Sequence, residues 1–187
     1  MRIRPVTPSD IEAVALCHLA SWQRGFRGIL SDPLLDGLTA PHFIQTWREI
    51  LSVVGRTNLV AEDAHELIGF VSFGPYRRDL SSDPPGSDHD AEVYGLYVHP
   101  VRWRSGAGRL LFRSALEELR VLGFRDVKLW TMTANHLSRS FYQAQGLRQS
   151  ERTRTSERSG ERFEEVQYEI SLDDARWKDA WRIALGS

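Results

Sequence analysis

At 187 residues, with 24 Lys+Arg against 25 Asp+Glu, the chain is long enough for one domain with a substantial core, and it has no bulk charge to draw it to nucleic acid or an anionic membrane. No apolar run approaches membrane-spanning length, and the opening MRIRPVTPSD lacks the apolar core of a signal peptide. Cys17 is the single cysteine, which excludes an internal disulfide and points to the reducing cytoplasm.

Ile3–Val6 reads as a short opening strand. Thr7-Pro8-Ser9-Asp10 is a helix start, with Thr7 as N-cap, Pro8 in the first position and an acid in the first turn. Ile11, Val14, Ala15, His18, Leu19 and Trp22 then keep helical spacing, which makes His18 a core histidine and Cys17 a small core residue. Pro33-Leu34-Leu35 forms a short helical turn. Thr39 caps a further helix whose expected buried face is Phe43, Trp47, Ile50, Leu51 and Val54. Asn58–Glu62 and Glu66–Phe73 alternate about a short polar turn and predict an antiparallel hairpin. The segment 75–90, rich in proline, serine and charge, is a loop that either frames a substrate or simply connects strands. His89 within it has no partner at metal-ligand spacing, so no metal site is expected.

The stretch Leu96–Leu122 organises the rest. A strand over Ala91–Val98 stops at Pro100, which has no N–H to give a ladder. A long helix follows, with Phe112, Ala115, Leu119 and Leu122 on one side and Arg109, Arg113, Glu117 and Arg120 on the other. Between them lies Arg104-Ser105-Gly106-Ala107-Gly108-Arg109. Glycines at the mouth of a helix serve either turn geometry alone or a phosphate cradle built on free N–H groups and the positive helix end. The dinucleotide fingerprint and the Walker pattern are both absent, the first because Leu111 stands where a small residue is required.

Asp126–Met132 is a further strand, and Asn135 caps a helix that ends at Gly146. Asn135, Ser138 and Tyr142 fall on one face of it, with Leu137 and Phe141 expected in the core. Arg148–Ser156 and Arg162–Ser171 form a last hairpin around Ser159-Gly160. Residues 172–187 predict a terminal helix bearing Trp177 and Trp181, packed on the same chain or at a homodimer contact.

The spacing Val98, Pro100, Gly106, Gly108 resembles the acetyl-CoA motif of the GNAT superfamily of N-acetyltransferases. The run Trp130, Asn135, Ser138, Phe141-Tyr142, Gly146-Leu147 is similar to a second motif of that family. The resemblance covers residues 1–171. It implies an α/β (α+β) fold: a central mixed, mostly antiparallel, twisted sheet of about seven strands flanked by helices, here with the extra C-terminal helix.

It also implies acetyl-CoA as cofactor, with CoA as product. The pantetheine arm would lie along the backbone of Leu96, Tyr97 and Val98, and the pyrophosphate on the N–H groups of Arg104, Ser105, Gly106, Ala107, Gly108 and Arg109. Asn135 and Ser138 would contact the cofactor arm. Trp103 departs from the Arg or Gln usual three residues before the first motif glycine.

The implied reaction is direct attack by a primary amine of a small molecule, amino acid or peptide on the thioester. Tyr142 would protonate the departing thiolate, and a backbone N–H near Val98 would stabilise the oxyanion. Three roles fit Glu92: base, anchor for a cationic substrate, or solvated rim residue. Trp22, Phe26 and Tyr76 are either pocket walls or core. The rival reading is an acyl-CoA-binding sensor or partner module without turnover. The arginines around 102–113 and 148–162 are interleaved with glutamates, so no nucleic-acid partner is expected, nor a membrane.

Overall fold

The protein is described by a computed structural model covering residues 1–77, 88–158 and 160–173. Residues 174–187 of the expected terminal helix, residues 78–87 of the long loop, and Ser159 of the last turn lie outside the described residues, while Leu172 and Asp173 form a turn.

The elements run β1 (Arg2–Pro5), α1 (Ile11–Gly25), α2 (Asp32–Asp36), α3 (Ala40–Ser52), β2 (Thr57–Asp63), β3 (Glu66–Pro75), β4 (Asp90–Val98), α4 (Ala107–Val121), β5 (Asp126–Met132), α5 (His136–Ala144), β6 (Arg148–Arg158) and β7 (Glu161–Ser171). The seven strands form one mixed sheet in the order β1-β2-β3-β4-β5-β7-β6. The β1–β2, β2–β3, β5–β7 and β6–β7 pairs are antiparallel, and β4–β5 is parallel. The expected mixed, mostly antiparallel seven-stranded architecture is therefore what the chain adopts. Contacts divide it into two units: Met1–Gly74 with Val93–Ala115, and Pro75–Glu92 with the residues from Leu116 onward.

In the first unit, the chain enters α1 through a 3₁₀ turn at Pro8–Asp10. Asp10 accepts from the Thr7 backbone N–H at 2.8 Å and from both terminal nitrogens of Arg4 at 2.7 and 2.8 Å. These bonds hold the Asp10 carboxyl well below the usual carboxylate range, with the Arg4 guanidinium the main cause.

The helical spacing of α1 places Val14, Ala15, Cys17 and Trp22 in the core, and burial pushes the Cys17 thiol up to about 12. The His18 ring lies 4.7 Å from those of Phe43 and Tyr97 and 5.0 Å from that of Phe70. Trp47 meets Phe70 edge-on at 4.8 Å. Each large ring buried here contributes roughly 2–3 kcal/mol. Phe43 and Trp47 are buried as expected, but Val54 is 98% exposed. Helix α3 ends at Ser52 and Val53 turns extended, so the helical spacing does not reach Val54. The β2–β3 turn is made by Ala64 and His65, both with positive φ, the twist a two-residue hairpin requires.

Helix α4 buries Leu111, Phe112 and Ala115 in the first unit and Leu116 and Leu119 in the second. Leu122 is 60% exposed, against expectation. The helix stops one residue earlier and the chain reverses at Gly123 (φ 90°), with the Phe124 N–H donating to the Leu119 carbonyl at 3.1 Å.

In the second unit, β5 buries Val127 and Leu129 while β7 buries Val166, Gln167, Tyr168 and Ile170 in succession. Strand β7 is hydrogen-bonded on both sides, and β6 forms the outer edge with a register shift between Gln149 and Thr153.

Candidate active site

In the first unit, the site is the passage from β4 into α4. The His99 N–H donates to the Ile68 carbonyl on β3 at 2.8 Å. Alternation along the strand then turns Tyr97 toward β3 and the backbone groups of Leu96 and Val98 toward the other edge. On that edge, the register with β5 comprises Asp90, Ala91 and Glu92, although β4 runs on to Val98.

Pro100 ends the strand and starts a 3₁₀ turn, Pro100–Arg102. The Arg102 guanidinium pairs with the Asp63 carboxylate. Arg104 (φ 63°) and Gly106 (φ 89°) are both left-handed and flank Ser105. A β-carbon on Gly106 would meet nothing within 4 Å, so glycine is there for its backbone conformation, whereas Arg104 bears the strain of that conformation with a side chain.

Helix α4 then begins. Its Leu110 N–H bonds the Gly106 carbonyl at 3.0 Å, and the Ala107 N–H reaches Ser105 Oγ at 3.4 Å. Among the described residues, no acceptor meets the N–H groups of Arg104, Gly106, Gly108 and Arg109. A left-handed pair leading into a helix N-terminus with unclaimed donors is a concave anion cradle. Phosphate oxygens fit it, and the exposed side chains of Arg104 and Arg109 stand beside it.

In the second unit, Glu92 is 2% exposed, and Arg77 binds both of its oxygens. The Arg77 backbone N–H and Nε reach Oε2 at 3.1 and 3.2 Å, and Nη2 reaches Oε1 at 2.6 Å. Glu92 is therefore not a solvated rim residue.

Asn135 caps α5, its side-chain oxygen accepting from the Ser138 N–H at 3.0 Å. Ser138 Oγ donates to the Asn135 carbonyl at 3.0 Å and accordingly accepts from Thr131 Oγ1 at 2.5 Å. Tyr142, on the same face, is 7% exposed, with its ring 6.3 Å from that of Tyr168. So the polar stripe of α5 is the one that packs. Leu137, expected in the core, is 59% exposed instead, because the bonded Asn135–Ser138–Tyr142 face takes the inward position. Trp22 and Phe26 are core residues, 5% and 8% exposed.

Sequence reasoning missed three partners. Trp103 donates to the Val98 carbonyl, Arg77 binds Glu92, and Gln167 Nε2 donates to the Tyr76 hydroxyl at 3.0 Å. None is signalled by local spacing, because each links separate elements or turns.

The profile of the acetyltransferase (GNAT) family matches residues 22–147. The uncharacterized N-acetyltransferase YuaI of Bacillus subtilis (strain 168) is 32% identical over 143 residues, covering 76% of this chain and 77% of that protein. The PaiA N-acetyltransferase of Thermoplasma acidophilum, solved in complex with coenzyme A, superimposes with a TM-score of 0.69 at 18% identity, over 91% of this chain and 98% of that one. The structure of yncA from Salmonella typhimurium with its cofactor acetyl-CoA gives a TM-score of 0.65 at 20% identity, over 92% and 94% of the two chains.

Proposed function

Because the chain belongs to the acetyltransferase (GNAT) family, we propose that this acyltransferase moves the acetyl group of acetyl-CoA to a primary amine of a small molecule, amino acid or peptide by direct attack. The observation that carries the reading is the left-handed pair Arg104 and Gly106, opening into the unclaimed N–H groups of Gly108 and Arg109. Two relatives in fold hold coenzyme A or acetyl-CoA, which supports the same ligand here.

When bound, acetyl-CoA supplies an activated thioester. The chain's own groups do the rest. The N–H groups of Arg104, Gly106, Gly108 and Arg109 grip the diphosphate, helped by the positive end of α4, whereas those of Ser105 and Ala107, expected in the same cradle, are spent on the Arg102 carbonyl and Ser105 Oγ. Leu96 and Val98, whose backbone lies on the edge that β5 leaves after Glu92, hold the pantetheine arm as an added strand, with Tyr97 between them. The Val98 N–H donates to the negative charge that develops on the thioester oxygen, a fixed dipole that needs no reorganisation. The Tyr142 hydroxyl delivers a proton to the departing sulfur. Asn135 and Ser138 fix the face of α5 that carries Tyr142, and the amide nitrogen of Asn135, which meets no acceptor among the described residues, contacts the cofactor arm. Glu92 takes the first proton of the incoming ammonium and passes it to water. The second N–H proton is matched by the one Tyr142 gives to the thiolate, so one proton reaches solvent per turnover.

Titration calorimetry with coenzyme A, followed by thiol release on mixing acetyl-CoA with a panel of amines, tests the reading. Binding by the wild type, weakened by Gly106→Ala, together with thiol release that depends on the amine, is the expected result. No heat of binding at saturating coenzyme A overturns it.

A further inference from the structure

Among the described residues of the second unit, the cation on the buried carboxylate of Glu92 is Arg77, and its side chain stands half in water. Glu92 is 2% exposed, whereas the Arg77 side chain is 56% exposed. Among the described residues, the donors to Glu92 are the backbone N–H, Nε and Nη2 of Arg77.

The neighbouring residue is fixed in place. The Tyr76 N–H donates to the Asp90 carbonyl at 3.0 Å, and its hydroxyl accepts from Gln167 at 3.0 Å. Its ring lies 5.0 Å from Lys128 Nζ, itself bound to Asp90 at 2.7 Å. The second buried carboxylate, Asp90, is thus matched by a lysine whose side chain is only 20% exposed. Glu92 is matched instead by a guanidinium with easy access to solvent, on a backbone anchored one residue earlier.

A buried carboxylate left without a cation is costly, so whatever removes Arg77 must bring a positive charge of its own. An exposed guanidinium, conversely, loses little when it swings back into water. We infer that Arg77 is an exchangeable counter-ion that selects for cationic acceptors: a protonated amine displaces its guanidinium from Glu92, and a neutral or anionic compound does not. The inference rests on the acetyltransferase reading and names the acceptor class for it.

The exchange also gives the reaction a direction. The acceptor arrives as an ammonium ion, gives one proton to Glu92, and leaves as an amide with no charge. Once Glu92 returns its proton to water, the amide cannot compensate it and Arg77 can. Return of Arg77 therefore favours release of product. Arg77 acts through Glu92 and is a positioning residue.

The test uses n-butylammonium chloride as the cationic probe, N-butylacetamide as its acetylated counterpart and potassium chloride at matched ionic strength. Arg77→Ala should melt a few degrees below the wild type. n-Butylammonium should restore it at a concentration about tenfold below that needed to shift the wild type. N-Butylacetamide and potassium chloride should leave it unchanged, and Arg77→Lys should behave as the wild type. Equal responses of Arg77→Ala and wild type to the ammonium probe, or equal responses to ammonium and amide, overturn the inference.

Should Arg77→Ala fail to fold, the Arg77 Nε–H resonance of the wild type, identified by its absence in Arg77→Lys, gives the same answer. It should move on addition of n-butylammonium and not of the amide, and a resonance indifferent to both overturns the exchange. Coenzyme A titrated into the same samples separates the two failures. Normal coenzyme A binding without ammonium selectivity removes the Arg77 exchange alone, whereas absent coenzyme A binding removes the transferase reading beneath it.

Discussion

The indole nitrogen of Trp103 donates to the carbonyl oxygen of Val98 at 2.7 Å. That bond ties the last peptide of β4 to the turn before α4, whereas the single Ser21 O–H, 3.1 Å from the same oxygen, lies closer to the Cys17 carbonyl at 2.7 Å. Trp103 stands where the resemblance led one to expect Arg or Gln, and it serves the main chain. Trp103→Phe keeps the ring and removes the donor. It should lower stability by about 1 kcal/mol and weaken coenzyme A binding, as read by thermal melting and calorimetry. Unchanged affinity would mean that the Val98 peptide needs no side chain to hold it.

Gly106→Ala isolates the backbone contribution to the cradle. An added β-carbon has open space, so the effect is the left-handed conformation alone, about 1–2 kcal/mol. Gly123→Ala is the control, since it too has a positive φ and nothing within 4 Å of the added carbon. Both should lose similar stability, but only Gly106→Ala should lose coenzyme A affinity, by about tenfold. Equal loss of affinity in both would assign it to global destabilisation.

Tyr142→Phe should reduce kcat by about a hundredfold while leaving coenzyme A affinity unchanged. Calorimetry and single-turnover thiol release read the two quantities separately. A kcat within a few-fold of the wild type would leave Tyr142 as a packing residue against Tyr168.

The Arg4–Asp10 clamp predicts an acid dependence. The Asp10 carboxyl is depressed in the folded chain, so its contribution is complete above the ordinary carboxylate range near pH ~4. It fades as pH falls from that range toward the lowered folded value. Asp10→Asn should cost about 2 kcal/mol near neutral pH and progressively less in acid. Denaturant midpoints measured from pH 7 down to pH 3 check this, and a constant difference across that range would detach Asp10 from the acid response.

Elements governed by local chemistry were legible in the sequence. Pro100 stops β4, Asn135 caps α5, and Gly123 and Gly146 reverse the chain with positive φ. Helix ends read from apolar spacing alone ran too long, which is why Val54 and Leu122 lie outside their helices and in solvent. Leu137 was misplaced for a different reason. Residue type favoured burying the leucine, but the hydrogen bonds among Thr131, Asn135 and Ser138 satisfy the polar face and let it pack inward. The positive φ of Arg104 could not be read, since arginine carries no signal for that conformation. The Arg77–Glu92 pair is likewise silent, because it joins residues fifteen apart across a chain reversal.

The outermost strand, β6, meets no further strand among the described residues, and along it Arg148, Arg152, Arg154 and Arg158 alternate with Glu151 and Glu157. Arg154 is spent on Glu165 of β7, and a second molecule approaching this margin would meet the register shift after Gln149, which breaks the regular ladder that pairing needs. The same strand that completes the sheet thus deters fibre-like stacking. Being a matter of backbone geometry, that safeguard does not weaken with added salt.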